Sequence, residues 1–280
     1  MPRSPLDELF PDVDKPVIGM VHFPPLPGTP LYDEQGGLKA ILDRIEHDIA
    51  ALVSGGVDGL LFCNEGDRPY QLKVGPEAVA VMTRGITQFV PPGKTFGVDV
   101  LWDPYAAIAV AMATGASFVR EVFTGTFESD MGLWAPDAAD IRRYHRRISA
   151  QHIKLFYNTT PEFASPIGKR APADMAVSAV VSSLADTILV SGPAAGSNPA
   201  LDVVSQVRAA VPKHVPVLVN TGVNENNVTA YLQIADGVIV GSSLKRDGIT
   251  WNEVELDRVK RLISQVNNVR RQRQTANANE

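Results

Sequence analysis

The chain has 280 residues, close to the ~250 of a single (β/α)₈ domain, and its 45% apolar and 20% charged residues are ordinary for a globular protein. A net charge of −5 argues against a basic nucleic-acid surface, and the single Cys63 excludes an internal disulfide and fits a reducing compartment. No run approaches the ~18 apolar residues of a membrane span, and the first residues lack the apolar centre of a secretory signal, so a cytoplasmic location is expected.

Residues 1–15 read as a lead-in with one helical turn in LDELF. PVIGMVHF (16–23) is the first buried run, followed by a loop rich in Pro and Gly (24–37). Over 38–56, apolar side chains recur at Leu38, Ile41, Leu42, Ile45, Ile49 and Leu52, the stripe of an amphipathic helix. The unit then repeats. Strand 57–64 leads to helix 75–90, and strand 95–102 to helix 103–116, where Asp103 is the expected N-cap and Pro104 opens the first turn. Strand 117–123 passes through a longer loop to helix 136–149. Strands 152–158 and 186–191 are followed by helices 171–185 and 198–211. PVLVN (216–220) and GVIVG (237–241) are strands seven and eight, with helix-like NENNVTAYLQIA between them. The last helix is placed at 254–266, and the polar tail 267–280 is expected to be disordered. Eight strand–helix units without a break in composition predict one (β/α)₈ barrel over 16–266, of the phosphate-binding type.

In such a barrel the functional groups sit at the carboxyl ends of the strands. Strands seven and eight end in small residues, Asn220, Thr221 and Gly222, then Gly241, Ser242 and Ser243. Small residues there let backbone N–H groups approach an anion, so these turns, with Ser191 and Gly192 after strand six, are the expected phosphate grip. The expected catalytic groups are His22, Glu65, Asp99, Glu121, Lys154 and Asn158. Asp99, Arg120 and Glu121 fall within buried runs, where a charge is costly unless paired. Arg120 and Glu121 alternate in direction, so a cluster of Asp99 with one of them across strands three and four is predicted, either as a structural ion pair or as part of a site. His22 either bonds a loop carbonyl or acts as general acid or base. Lys154, read as mid-strand, suits a Schiff base or pairs with Asp99 or Glu121. Lys73 and Lys245 either reach the phosphate or are solvated, and His47, His145 and His214 are placed at the surface. Asp99 and Glu121 are oxygen ligands of the kind that suits Mg²⁺, and no zinc spacing is present. Ser191 is not in a G-x-S-x-G elbow, and Cys63 reads as packing.

The motifs KPVIGMVHFPPLPG (15–28), NEGDRPYQLKVGPE (64–77), GVDVLWDP with AMATGASFVREVFTG (97–125), SDMGLW (129–134), VSGPAAG (190–196), NTGVNENNV (220–228) and ADGVIVGSSLKRDG (235–248) resemble the BtpA/SgcQ family from about Lys15 to Val266. The 97–125 wording leans to the SgcQ side, while Phe156-Tyr157-Asn158 departs from the V-K-H of BtpA-like members. The resemblance implies a phosphate-binding (β/α)₈ fold. It associates SgcQ-like members with sugar-uptake and sugar-phosphate gene sets, and BtpA with photosystem I biogenesis. The preferred expectation is an enzyme of the lyase, aldolase or isomerase type with a phosphorylated sugar or nucleoside-like ligand. The alternatives are a non-catalytic assembly factor or a small-molecule binding protein. A homo-oligomer is expected from the frequency of C₂ assembly among soluble proteins.

Overall fold

In a computed structural model that describes residues 3–277, the eight buried runs become the strands of a closed parallel barrel. These strands are β1 (Val17–His22), β2 (Gly59–Cys63), β3 (Phe96–Asp99), β4 (Phe118–Glu121), β7 (Lys154–Asn158), β9 (Thr187–Val190), β10 (Val217–Val219) and β11 (Gly237–Val240), while β5 (Phe127–Ser129), β6 (Gly132–Trp134) and β8 (Ala164–Pro166) form a small antiparallel sheet in the order β6–β5–β8. The ring closes where β1 pairs with both β2 and β11. Outside it run α2 (Gly37–Gly55), α3 (Pro76–Phe89), α4 (Pro104–Thr114), α5 (Ala138–Arg147), α6 (Pro172–Ser183), α7 (Leu201–Ala210), α8 (Val228–Leu232) and α9 (Leu256–Asn277); a short α1 (Pro5–Leu9) precedes the barrel.

The strands are buried on both faces, so alternate residues feed two apolar layers. Val17, Val21, Leu60, Phe62, Val98, Val119 and Leu155 join the layer packed on the helices. Ile18, Met20, Leu61, Phe118, Phe156, Leu189, Leu218 and Ile239 fill the interior. Phe118 and Phe156 stack there with centroids 4.6 Å apart. Gly97 makes the room, since a Cβ at that position would sit 2.2 Å from the Phe118 ring. The amino-terminal end of the barrel is sealed by the lead-in segment: Leu6 and Phe10 belong to the interior cluster, and Phe10 lies against Gly59. At the opposite end the small sheet, grown from the connections after β4 and β7, packs Phe127 and Trp134 on Trp102.

Local signals act as their chemistry requires. The Asp103 carboxylate caps α4 by accepting from the amides of Tyr105 and Ala106, and Pro104 fills its first turn. The expected disordered tail is corrected to Asn277, because α9 continues well beyond 266. Val266 and Val269 are buried along it, and the Arg270 guanidinium donates to the carbonyls of Asp14 and Lys15 and to the Asp58 carboxylate. The remaining tail residues, 278–280, lie outside the described residues. The expected helix over 224–235 contracts to α8, and His145, expected at the surface, is buried with Nε2 3.1 Å from the Ile153 carbonyl. Among the described residues no helix is long and apolar enough to cross a membrane.

Candidate functional site

At the carboxyl end of the barrel lies a cavity of about 240 Å³. Two sets of groups line it: the ionisable and amide side chains His22, Glu65, Arg120, Glu162 and Asn220, and the turns after β10 and β11 from Thr221 to Asn224 and from Gly241 to Ser243.

Arg120 organises the first set. Its Nη1 is 2.6 Å from Asp99 Oδ2 and its Nη2 is 2.8 Å from Glu162 Oε1, with all three side chains nearly fully buried. Glu162 also accepts from the side-chain amides of Asn158 (2.9 Å) and Asn220 (3.2 Å), and Asn220 donates to Ser191 Oγ at 2.8 Å. Burial opposes the charge on Arg120, but Asp99 and Glu162 outweigh it and hold its pKa above the ordinary guanidinium value. Glu121 lies beside this cluster, and its Oε2 accepts from the Val122 amide at 2.8 Å. Burial first, then the neighbouring Asp99 charge, push Glu121 well above the usual carboxyl range.

His22 and Glu65 are the groups in the cavity that lack a strong ion pair. The Nδ1 of His22 faces the Thr250 carbonyl at 3.3 Å. Burial and then the Lys245 charge lower its pKa well below the ordinary value, so the ring is neutral. A carbonyl only accepts, which puts the proton on Nδ1 and leaves a bare lone pair on Nε2. That Nε2 is buried with no protein partner among the described residues. Glu65 accepts from the Tyr70 hydroxyl at 3.1 Å and from the Cys63 thiol at 3.6 Å. Burial, reinforced by the Glu162 charge, raises it to about 7. A carboxyl poised there takes and returns a proton near neutrality.

The second set presents backbone. Gly222 has φ +68°, and a Cβ there would lie 2.3 Å from the Asn198 amide nitrogen, so only glycine lets this turn close. Among the described residues, the N–H groups of Gly222, Val223, Ser242 and Ser243 donate to no turn, loop or cap acceptor. The Ser243 hydroxyl is spent on the Val223 carbonyl (2.6 Å), and Ser242 Oγ is 2.8 Å from Thr250 Oγ1. Arg258 adds a cation at the rim.

Of the expected residues, His22, Glu65, Asn220, Thr221, Gly222, Gly241, Ser242 and Ser243 line the cavity. Asp99, Glu121, Asn158 and Ser191 do not; they form the buried support around Arg120. Gly192 is corrected as an anion ligand, because its amide donates to Thr221 Oγ1 at 2.6 Å. Lys154 is corrected most: β7 begins at Lys154, which puts it at the sealed end, 2.5 Å from Glu8. Lys245 is fully buried on Asp48 (2.9 Å), and Lys73 is exposed away from the cavity. Asp99 and Glu121 do not fit Mg²⁺, since Arg120 already serves Asp99 as its cation, Glu121 Oε2 accepts from the Val122 amide, and neither lines the cavity. No group of three or more His, Cys, Asp or Glu arranged for a metal occurs among the described residues. Glu162, Thr250, Gly196 and Arg258 were not foreseen: the first three come from loops whose path depends on other loops, and Arg258 from the first turn of α9.

The sequence profile of the BtpA family matches residues 13–268. The putative sgc region protein SgcQ of Escherichia coli is 41% identical over 259 residues, covering 92% of this chain and 96% of SgcQ. The photosystem I biogenesis protein BtpA of Synechocystis is 35% identical over 255 residues, covering 89% and 86%. Among solved structures, N-(5'-phosphoribosyl)anthranilate isomerase from Pyrococcus furiosus superposes with a TM-score of 0.53 at 14% identity, covering 91% of this chain and 99% of that one. Thiamine phosphate pyrophosphorylase from the same organism superposes with a TM-score of 0.53 at 14% identity, covering 91% and 96%. At that identity the superpositions speak for the barrel alone, whereas the profile and the two relatives settle descent: the chain belongs to the BtpA family.

Proposed function

We propose that the protein is an enzyme that moves a proton within a small phosphorylated, hydroxylated compound of the sugar-phosphate class, in an isomerase or lyase step. The observation that carries this reading is a set of three buried polar atoms, on residues lining the cavity, without protein partners among the described residues: His22 Nε2, Arg120 Nε and Asn220 Oδ1. Two accept and one donates, and hydroxyl groups meet both demands. The free amides at Gly222 and Ser242, with Arg258, supply the anion end. Glu65 is the base, and the His22 lone pair is the second proton station. Among the described residues no lysine lines the cavity, so an aldolase step through a Schiff base on this chain has no support. The structural neighbours named above, an isomerase and a pyrophosphorylase, bear names that include a phosphorylated compound.

The test is a panel of aldose and ketose phosphates incubated with the protein in D₂O. Solvent deuterium enters the carbon next to the carbonyl of the accepted substrate, and NMR reads it. Glu65→Gln lowers that rate by roughly 10²–10⁴, and Ser242→Asp weakens binding by charge repulsion. A panel without exchange or binding, beside a stoichiometric protein partner recovered from cells, favours the assembly role in the Synechocystis relative's name.

A further inference from the structure

The cavity continues past Glu65. A second compartment of about 380 Å³ opens beside it, and Glu65, Ala195 and Thr250 line both. Its walls differ in character from the first. The rings of Tyr70 and Phe163 lie with centroids 6.0 Å apart at 41°. The Arg68 guanidinium lies 3.7 Å from the centre of the Trp251 ring, and its buried Nε has no protein acceptor among the described residues. Flat aromatic faces beside a guanidinium suit a planar ring, because π faces stack and the Arg N–H fork meets a ring carbonyl or carboxylate. A bare sugar phosphate would leave the aromatic faces of these walls unstacked.

We infer that the substrate joins a heteroaromatic ring to the phosphorylated sugar, as a nucleoside monophosphate does. The ring occupies the compartment of Tyr70, Phe163 and Trp251, the sugar lies over Glu65, and the phosphate meets the turns at Gly222 and Ser242. This placement rests on the phosphate reading above and narrows it.

Calorimetric titration of the full chain tests it with ribose 5-phosphate, adenosine, AMP, GMP, CMP and UMP. At least one nucleotide is expected to bind about tenfold or more tighter than ribose 5-phosphate, the scale of a stacked base. Trp251→Ala removes that gain and brings the nucleotide down to the ribose 5-phosphate level. Trp251 is 47% exposed and belongs to neither apolar layer of the barrel, so its replacement leaves the core intact. Ser242→Asp weakens the nucleotide and ribose 5-phosphate together. If ribose 5-phosphate binds and no nucleotide improves on it, or the gain survives Trp251→Ala, the ring inference falls and the phosphate reading stands. If adenosine binds as well as AMP while ribose 5-phosphate does not bind, the phosphate reading falls instead. If none of the six binds, both fall.

Discussion

Glu65 is where a single side chain links stability to chemistry. Its folded pKa, about 7, lies above the ordinary 4.5. The stability it contributes is complete below the unfolded value and is lost as pH rises through the folded one. Glu65→Gln has no such dependence. Urea unfolding of both proteins is therefore expected to shift in favour of the variant by about 3 kcal/mol between pH ~4.5 and pH ~8. A constant difference across that range would show that Glu65 ionises normally. Around it, Arg120 shows how much residue chemistry the sequence displays. A charge inside FVREVF announces a buried partner, and Asp99 was identifiable inside the neighbouring run, where it proves to be the last residue of β3. Glu162, the second partner, was invisible because it follows a strand end in a loop, and its burial depends on the path that loop takes.

At the scale of elements, the eight apolar runs were readable because each strand is covered on both faces, and helices such as α2 because their apolar residues form one stripe. The small mouth sheet was not, because its strands are only three residues long and carry no alternation. Lys154 went astray for a related reason. The run was read from His152, which made the lysine appear mid-strand, whereas pairing begins at Lys154 and sets its height at the sealed end. That seal is itself testable. Phe10 is 4% exposed and fills the amino-terminal end of the interior. Phe10→Ala is expected to cost about 3–5 kcal/mol of unfolding free energy in urea. A loss below ~1 kcal/mol would mean that the lead-in only rests on the barrel.

For the molecule as a whole, closure of the ring depends on its first strand, and α9 clasps the approach to that strand. The Asp58 carboxylate accepts from the Val17 amide at 2.7 Å and from Arg270 at 2.5 Å, while the same guanidinium holds the Asp14 and Lys15 carbonyls. Arg270→Ala is expected to lower stability by about 1–3 kcal/mol, the scale of charge-assisted hydrogen bonds at a half-buried position. Amide exchange across the β1–β11 ladder should rise with it; unchanged protection there would separate the clasp from closure. The tail seemed too polar to fold, and the sequence was misleading because the part of α9 beyond Val266 is held by these bonds, its buried apolar stripe there reduced to Val269.

The bond from His22 to Thr250 ties the two compartments together. The same short segment carries Thr250, which fixes the imidazole tautomer, and Trp251, which walls the aromatic compartment. The Thr250 carbonyl is the acceptor that keeps the imidazole hydrogen on the nitrogen facing away from the cavity. Two neighbouring residues thus couple the proton chemistry of one compartment to the shape of the other, and a substitution at Trp251 is felt at His22 through a single peptide unit.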